Sequence, residues 1–160
     1  TERDGNELVK AFWSTGKVGM TGTSYNGTLP LAAATTGVKG LEAIIPIAPN
    51  TSYYNYYRSN GLVRSPGGYL GEDIDVLYDF VHSGAEDNRA YNNKTVRDTE
   101  MMNGMARETG DFNDFWSGRD YLNQMDNMTA ALLMSHGFND WNVMPELTKI
   151  TRILKLQMLL

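Results

Sequence analysis

The alternation of apolar and polar positions near the start of the chain predicts a strand, a helix and a second strand. Residues 17–21 form a short run that Gly22 ends, which is typical of a strand followed by a tight turn. Small apolar residues continue from Tyr25 to Gly37, which predicts a packed helix with a glycine at its end. The isoleucine-rich run 41–47 predicts a buried strand. This order is a βαβ unit, so the two strands are expected to be parallel.

Pro30 lies inside the predicted helix. Proline has no amide hydrogen, so a helix that begins at Tyr25 loses one intrahelical hydrogen bond there. We therefore expect either a kink or a later start of this helix.

The middle of the chain has helical rather than sheet periodicity. Apolar residues recur at helical spacing in residues 73–82, and again before Gly110 at Val96, Met101, Met102 and Met105. Residues 130–135 have the composition of a short apolar strand, and from Pro145 onward the spacing is that of an amphipathic helix. These patterns predict a parallel sheet interrupted by a helical insertion.

Composition narrows the class of protein. At 160 residues with 41% hydrophobic residues, the chain is long enough for one buried core and too short for two ordinary domains. A net charge of −5 argues against nucleic acid and anionic membranes as partners. The absence of cysteine excludes disulfides and thiolate zinc sites, and it suits a cytoplasmic protein. No apolar run is long enough for a membrane span, and the polar start is not a signal peptide.

The segment Gly22-Thr23-Ser24-Tyr25-Asn26-Gly27 lies where the first predicted strand turns into the helix. A nucleophile elbow needs this context, because the sharp turn exposes the serine hydroxyl and directs the next amide at the developing oxyanion. Gly22 fits the elbow pattern, whereas Asn26 stands where a glycine is usual and Gly27 follows one residue later. A glycine-rich connection with Ser24 as a helix N-cap is the alternative.

Asp140 follows the later strand, in the chain order serine then aspartate that α/β-hydrolases use. A carboxylate there can hold an imidazole in the productive tautomer. The alternative is a simple Asx turn. His82 and His136 are expected to be structural, and no His-Glu-x-x-His or calcium-loop spacing predicts a metal site.

Four tyrosines fall within residues 53–57. Aromatic rings with polar tips suit a specificity pocket that stacks on a ring such as that of proline. Packing between the sheet and the insertion is the alternative, and composition alone favours it.

Several segments together resemble the X-prolyl dipeptidyl aminopeptidases. They are the elbow within residues 16–27, then residues 33–38, the tyrosine-rich and Arg-Ser-Pro-Gly-Gly segment 54–68, and residues 136–143. The resemblance covers nearly the whole chain up to Pro145. It implies a partial α/β-hydrolase catalytic domain over residues 1–160, a parallel sheet core with residues 73–127 as a helical cap insertion.

The resemblance also implies the reaction and its residues. N-terminal Xaa-Pro dipeptides would be released by acyl transfer through Ser24, with Asp140 orienting a histidine and the Tyr25 amide binding the oxyanion. No cofactor is implied, the substrates are peptides with proline in second position, and the parent protein is expected to be a homodimer. The implied substrate-binding residues are Glu72 and Asn142 for the free ammonium group, and Tyr53, Tyr56, Trp141 and Val143 for the proline.

No histidine follows Asp140 in the chain, and residues 156–160 are strongly apolar. We therefore expect a truncated peptidase that is inactive, or nearly so, by itself, because loss of a triad member costs several orders of magnitude in rate. Two other functions stay open: an ester or amide hydrolase of the cocaine esterase type, and a binding segment without catalytic activity.

Overall fold

A computed structural model describes residues 11–59, 61–63, 72–82 and 88–145. The strands are β1 (Val18–Thr23), β2 (Leu41–Ile47), β3 (Arg58–Ser59), β4 (Leu62–Val63) and β5 (Ala131–Leu132). The α-helices are α1 (Tyr25–Thr35), α2 (Tyr53–Tyr57), α3 (Ile74–Val81), α4 (Arg89–Asn92), α5 (Met102–Gly104) and α6 (Asp114–Ser117). A π-helical segment covers Asn93–Met101, and a 3₁₀ helix covers Tyr121–Asn127.

The main sheet has the order β1-β2-β5, and both pairs of neighbouring strands are parallel. Helix α1 connects β1 to β2, so the predicted βαβ unit is confirmed. Because the strands are parallel, the residues that follow β1, β2 and β5 all lie at one edge of the sheet. Ligands of open α/β sheets bind at this edge. A separate antiparallel pair joins β3 to β4.

The first strand does not end at Gly22 as expected, because β1 continues through this residue to Thr23. The last strand is shorter than predicted, with regular pairing at Ala131 and Leu132 and one further parallel bridge between Ser135 and Ile47. The turn after β1 therefore begins directly at Ser24.

Helix α1 begins at Tyr25 and runs through Pro30, so of the two expected alternatives, a kink or a later start, the later start is wrong. The amide that Pro30 lacks would have donated to the carbonyl of Asn26, four residues earlier. That carbonyl lies against strand β1, where a Cβ added to Gly22 would overlap the Asn26 oxygen. The carbonyl that loses its helical hydrogen bond to Pro30 is therefore the one that packs on β1.

One hydrophobic core lies between α1 and the sheet. It consists of Leu31, Ala34, Leu41, Ile44, Met125 and Ala130. Ile45 and Ile47 lie on the other face of β2 and are exposed. The prediction of a fully buried strand is therefore wrong for this face, which no described element covers.

A second core lies among the helices between β2 and β5 and consists of Tyr53, Tyr57, Ile74, Met105 and Trp116. The helix expected before Gly110 is mostly π-helical, with one α-turn in α5, so its side chains do not follow the predicted α-helical spacing. The domain division at residues 73–127 stays a prediction.

A buried ion pair beside this second core joins Arg58, at the end of α2, to Asp73, at the start of α3. The Arg58 guanidinium donates to both carboxylate oxygens of Asp73, at 3.1 and 2.9 Å, and the two side chains are 0% and 3% exposed. Nη2 of Arg58 also donates to the Met105 carbonyl at 2.7 Å. Asp73 accepts from the Ile74 amide at 2.8 Å, so the same carboxylate caps helix α3.

The predicted helix after Pro145 and the Arg-Ser-Pro-Gly-Gly sequence of residues 64–68 lie outside the described residues. Within the described ranges, no helix is long and apolar enough to cross a bilayer.

Candidate active site

Ser24 has a backbone conformation that serine rarely adopts, with φ 60° and ψ −124°. These angles resemble those of the first central residue of a type II′ turn, which is usually glycine. The Ser24 side chain makes no hydrogen bond that caps helix α1. Ser24 thus occupies the N-cap position of α1, as the alternative expected, but its hydroxyl makes no capping hydrogen bond, and the strained turn presents a hydroxyl that the helix does not use.

Two glycines allow β1 and α1 to approach each other at this turn. A Cβ on Gly27 would lie 2.6 Å from the carbonyl oxygen of Ile47 and 2.8 Å from that of Gly22. A Cβ on Gly22 would overlap Asn26. Gly27 is thus the glycine that makes the close contact on the helix side. Asn26, which stands where a glycine is usual, does not prevent the tight turn.

Hydrogen bonds fix the turn to the neighbouring strand. The Ser24 amide donates to the Ile47 carbonyl at 2.9 Å, and the Ser24 carbonyl accepts from the amides of Gly27 and Thr28. The Thr28 hydroxyl in turn accepts from the amide of Asn50 at 2.8 Å, which ties α1 to the loop after β2. Tyr25 is the first residue of α1, so its amide has no intrahelical acceptor and remains available to an oxyanion.

The loop that contains Asp140 starts on the other side of β2. The Ala48 amide donates to the Ser135 carbonyl at 2.7 Å, and the Ser135 amide donates to the Pro46 carbonyl at 3.1 Å. The end of β2 is therefore flanked by the Ser24 turn and by the loop of residues 136–143. The predicted arrangement of nucleophile and aspartate at one sheet edge is consistent with this topology.

The two carboxylate oxygens of Asp140 make different contacts. Oδ1 accepts from the amides of Asn142 and Val143, at 3.0 and 2.9 Å, which is the Asx turn considered as the alternative. Oδ2 lies 3.5 Å from Nε2 of His136. Because Nε2 is also 2.8 Å from the Val143 carbonyl, the buried His136 ring is held within its own loop.

Tyr56 and Asn142 are brought together although 86 positions separate them in the sequence. The Tyr56 hydroxyl donates to Oδ1 of Asn142 at 2.6 Å. This contact joins helix α2 to the Asp140 loop. Because this hydrogen bond fixes the side-chain carbonyl of Asn142, it also fixes the orientation of the side-chain NH₂ group.

Glu72 and Tyr57 each bury a polar atom without a hydrogen-bond partner among the described residues, Oε2 and the hydroxyl respectively. Burial raises the pKa of Tyr57 well above its usual value, and the adjacent Tyr56 and the Glu72 carboxylate raise it further. Buried acceptors without partners are rare in native proteins. The Glu72 oxygen is therefore suited to a cationic donor.

Tyr53 is buried and forms one wall of a cavity of about 180 Å³ beside Tyr25. Burial raises the pKa of Tyr53 well above its usual value. Trp141 is 75% exposed and Val143 is buried, and neither is among the described residues that line this cavity. Of the four predicted proline-pocket residues, only Tyr53 is among the described residues that line this cavity.

Three further residues of the cavity had no predicted role in a site: Arg119 and Tyr121 were not considered, and His82 was expected to be structural. Tyr121 is held there by its amide, which donates to the Thr51 carbonyl at 3.0 Å. Burial raises the pKa of Tyr121. No local pattern could have indicated these residues, because they reach the cavity from separate segments between β2 and β5.

A metal centre has no visible basis in the described part of the chain. There, no three His, Asp or Glu side chains are grouped as ligands would be.

Comparison with known proteins gives a consistent group of relatives. The family model described as X-Pro dipeptidyl-peptidase (S15 family) matches residues 8–157. A putative Xaa-Pro dipeptidyl-peptidase of Rhodopirellula baltica is 71% identical over 147 residues, which cover 91% of this chain and 24% of the relative. One of Bacillus anthracis is 50% identical and covers 88% of the chain and 23% of the relative. An Xaa-Pro dipeptidyl-peptidase of Ligilactobacillus salivarius is 44% identical, and the match covers 89% of this chain and 18% of the relative.

Solved structures of peptidases share the fold. An aminopeptidase from a Thaumarchaeota archaeon superposes with a TM-score of 0.58 at 17% identity, over 88% of this chain and 26% of that one. An acylaminoacyl peptidase in complex with a chloromethyl ketone superposes with a TM-score of 0.54 at 18% identity, over 89% of this chain and 18% of that one. The predicted α/β-hydrolase class is confirmed. The chain spans about a quarter or less of the curated relatives described above.

Proposed function

Because the chain belongs to the X-Pro dipeptidyl-peptidase (S15) family, we propose that it carries the nucleophile of a serine peptidase that releases Xaa-Pro dipeptides from the N-termini of peptides. The observation that supports this most is the conformation of Ser24, whose strained turn lies between β1 and α1 and whose hydroxyl does not cap the helix. Strain of this kind costs about 1–3 kcal/mol and is concentrated at functional sites.

The proposed reaction is acyl transfer. Ser24 Oγ attacks the proline carbonyl while its proton passes to a histidine base, and the Tyr25 amide stabilises the resulting oxyanion. The histidine returns the proton to the leaving amine, which departs and leaves an acyl-enzyme. A water molecule then attacks the ester in the same manner and releases the dipeptide.

Asp140 is proposed to hold the catalytic histidine. Its Oδ1 is fixed by two backbone amides, so the carboxylate has a defined orientation at the strand edge. His136 is not proposed as the base, because its Nε2 lies within reach of the Val143 carbonyl and of Asp140. It is proposed to stiffen the loop instead.

Glu72 and Asn142 are proposed to bind the free ammonium group of the substrate. The buried Glu72 Oε2 has no described partner, and an ammonium would supply a charge-assisted hydrogen bond. A blocked amine cannot do so and would leave the carboxylate buried and unpaired, which limits cleavage to free N-termini.

Tyr53, Tyr56, Trp141 and Val143 are proposed as the walls of the proline pocket. Tyr53 supports this by lying beside Tyr25, and Tyr56 by its contact with the Asp140 loop. The predicted homodimer stays a prediction, since one chain is described.

Three measurements test the proposal on the full-length protein that carries this chain. Gly-Pro-p-nitroanilide is expected to be hydrolysed and N-acetyl-Gly-Pro-p-nitroanilide to be rejected. A fluorophosphonate probe is expected to label Ser24, with labelling lost in Ser24→Ala and kept in Ser14→Ala. Equal hydrolysis of both anilides would indicate a general ester or amide hydrolase. Absence of labelling in folded protein would indicate a non-catalytic segment.

A further inference from the structure

Two side chains of one short segment, Tyr56 and Arg58, connect the two residues proposed to bind the ammonium group of the substrate. The Tyr56 hydroxyl donates to Oδ1 of Asn142 at 2.6 Å. The Arg58 guanidinium donates to both carboxylate oxygens of Asp73, at 3.1 and 2.9 Å. Glu72 is the residue directly before Asp73. The segment therefore links Glu72 to Asn142, although these residues lie far apart in the sequence.

The Arg58 guanidinium is held from several sides. Its Nη1 also donates to the Tyr57 carbonyl at 3.1 Å, and its Nη2 donates to the Met105 carbonyl at 2.7 Å. Its central carbon lies 4.8 Å from the centre of the Trp116 ring. The Arg58 side chain is 0% exposed, so water screens its ion pair only weakly. Because the planar guanidinium and carboxylate meet at two points, the pair fixes both the distance and the direction of Asp73.

Asp73 transfers this constraint to Glu72. Its Oδ1 also accepts from the Ile74 amide at 2.8 Å, so helix α3 begins at a carboxylate that Arg58 holds. Glu72 lies one peptide bond before this point. Because a planar peptide bond fixes the distance between neighbouring Cα atoms, a shift of Asp73 moves Glu72 with it.

The buried pair is a costly way to stabilise a fold. Taking a guanidinium and a carboxylate out of water costs free energy that their attraction does not always offset. Nε of Arg58 is also buried without a hydrogen-bond partner among the described residues, which adds to this cost. Buried ion pairs are better attested as devices that fix one arrangement than as sources of stability. We therefore looked for the arrangement that this pair fixes, and Glu72 is the nearest proposed site residue along the chain.

We propose that Arg58 and Asp73 are positioning residues for substrate recognition, which hold Glu72 at the distance from Asn142 that the ammonium group requires. The proposal rests on the peptidase function above. An ammonium group donates in three directions, so two acceptors bind it together only when their spacing is correct. A shift of Glu72 would weaken substrate binding. The chemical step would change little, because the Ser24 turn is held by β1 and β2.

The double variant Arg58→Leu/Asp73→Leu tests this on the full-length protein. It removes both charges of the pair together, and Arg107 keeps its contact with Asp75 at 2.7 Å. We expect KM for Gly-Pro-p-nitroanilide to rise roughly tenfold, near the lower end of a charge-assisted hydrogen bond. We expect kcat to stay within about twofold of the unmodified protein, since the pair does not touch the reacting bond. Fluorophosphonate labelling of Ser24 should proceed at an unchanged rate.

Arg58→Lys is a milder variant that keeps the positive charge. A lysine ammonium cannot make the two-point contact with Asp73, so KM should rise, but by less than in the double variant. This variant also provides the measurement if the double variant does not fold. Arg97→Gln is the matched control, because it removes partly exposed ion pairs with Asp79 and Asp98, and it should leave KM unchanged.

Combining the double variant with Glu72→Gln separates positioning from a general structural effect. If the pair acts through Glu72, the triple variant should have the KM of Glu72→Gln alone, whereas a merely structural role would multiply the two effects. The proposal is overturned by multiplied effects, or by an unchanged KM in Arg58→Lys and in the folded double variant. If the unmodified protein does not hydrolyse Gly-Pro-p-nitroanilide, the peptidase function itself is contradicted and the positioning role fails with it.

Discussion

The backbone amide of Ser24 donates a hydrogen bond to the carbonyl oxygen of Ile47 at 2.9 Å. This bond fixes the turn after β1 to the end of β2. The Ile47 carbonyl also faces Gly27, so the same atom limits how large the residue at position 27 can be. The conformation of the proposed nucleophile therefore depends on a contact between two strands and a helix.

Gly27→Ala is expected to destabilise the protein by about 1–3 kcal/mol, because the added methyl group would lie 2.6 Å from the Ile47 oxygen and must displace backbone. Chemical denaturation measures the change. Gly19→Ala in β1 is the matched control, since its Cβ meets only the Ala43 oxygen at 3.8 Å. Equal stability of the two variants would mean that the close approach at Gly27 is not required.

Ser24→Gly is expected to be more stable than Ser24→Ala by about 1 kcal/mol. Glycine relieves the strain at φ 60°, and this gain exceeds the backbone entropy that glycine loses on folding. The same pair of substitutions at Ser14, which is not among the residues with positive φ, should give the opposite sign. Unfolding midpoints of the four variants decide the point, and a Ser24→Gly variant less stable than Ser24→Ala would contradict the strain.

Arg58→Leu is expected to lower the free energy of unfolding by about 3 kcal/mol, because it leaves the Asp73 carboxylate buried with only the partly exposed Arg107 as an ionic partner at 3.2 Å. The double variant Arg58→Leu/Asp73→Leu should recover part of this loss. Arg97→Gln, which removes the partly exposed ion pairs with Asp79 and Asp98, should change the unfolding midpoint far less. An Arg58→Leu variant as stable as the surface variant would contradict the importance of the buried pair.

The raised pKa of Tyr57 predicts how the stability of the protein changes at alkaline pH. Burial raises its pKa in the folded protein, so above the ordinary pKa of about 10 the unfolded chain releases a proton that the folded chain retains. The stability contribution is complete below that pH and is lost as the pH rises further. Tyr57→Phe should therefore flatten the decline above pH 10, and it should cost little at pH 7 because the Tyr57 hydroxyl has no described partner. Tyr91→Phe is the control, at a side chain that is 68% exposed, and should not alter the decline. An identical decline in both variants would exclude Tyr57 as its cause.

Glu72→Gln is expected to lower kcat/KM for Gly-Pro-p-nitroanilide roughly 10- to 150-fold, the equivalent of a charged hydrogen bond of about 1.5–3 kcal/mol. The loss should appear mainly in KM, since the ammonium group is not part of the reacting bond. Labelling of Ser24 by the fluorophosphonate should persist, which shows that the site is folded. Glu42→Gln, at an exposed position of β2, is the matched control. Unchanged kinetics in Glu72→Gln would remove Glu72 from substrate recognition.

The βαβ unit could be predicted from the sequence because its signals are local. Small residues from Tyr25 to Gly37 predict a helix that packs closely, and the apolar run of β2 predicts a strand whatever the rest of the chain does. The helices between β2 and β5 were predicted less well. Apolar spacing indicated an ordinary helix before Gly110, but the backbone of Asn93–Met101 is π-helical.

The sequence by itself determined that Ser24 lies between a strand and a helix and that Asp140 follows a later strand. The tertiary structure alone decided that Gly27, rather than the residue at position 26, makes the close contact, because that contact is with Ile47 on another strand. It also decided the pairs Tyr56 with Asn142 and Arg58 with Asp73, and the meeting of Arg119 with Tyr25 at one cavity. Periodicity indicates only which face of a helix or strand is buried, whereas these contacts depend on the order of the strands and on how elements that are distant in the sequence pack together.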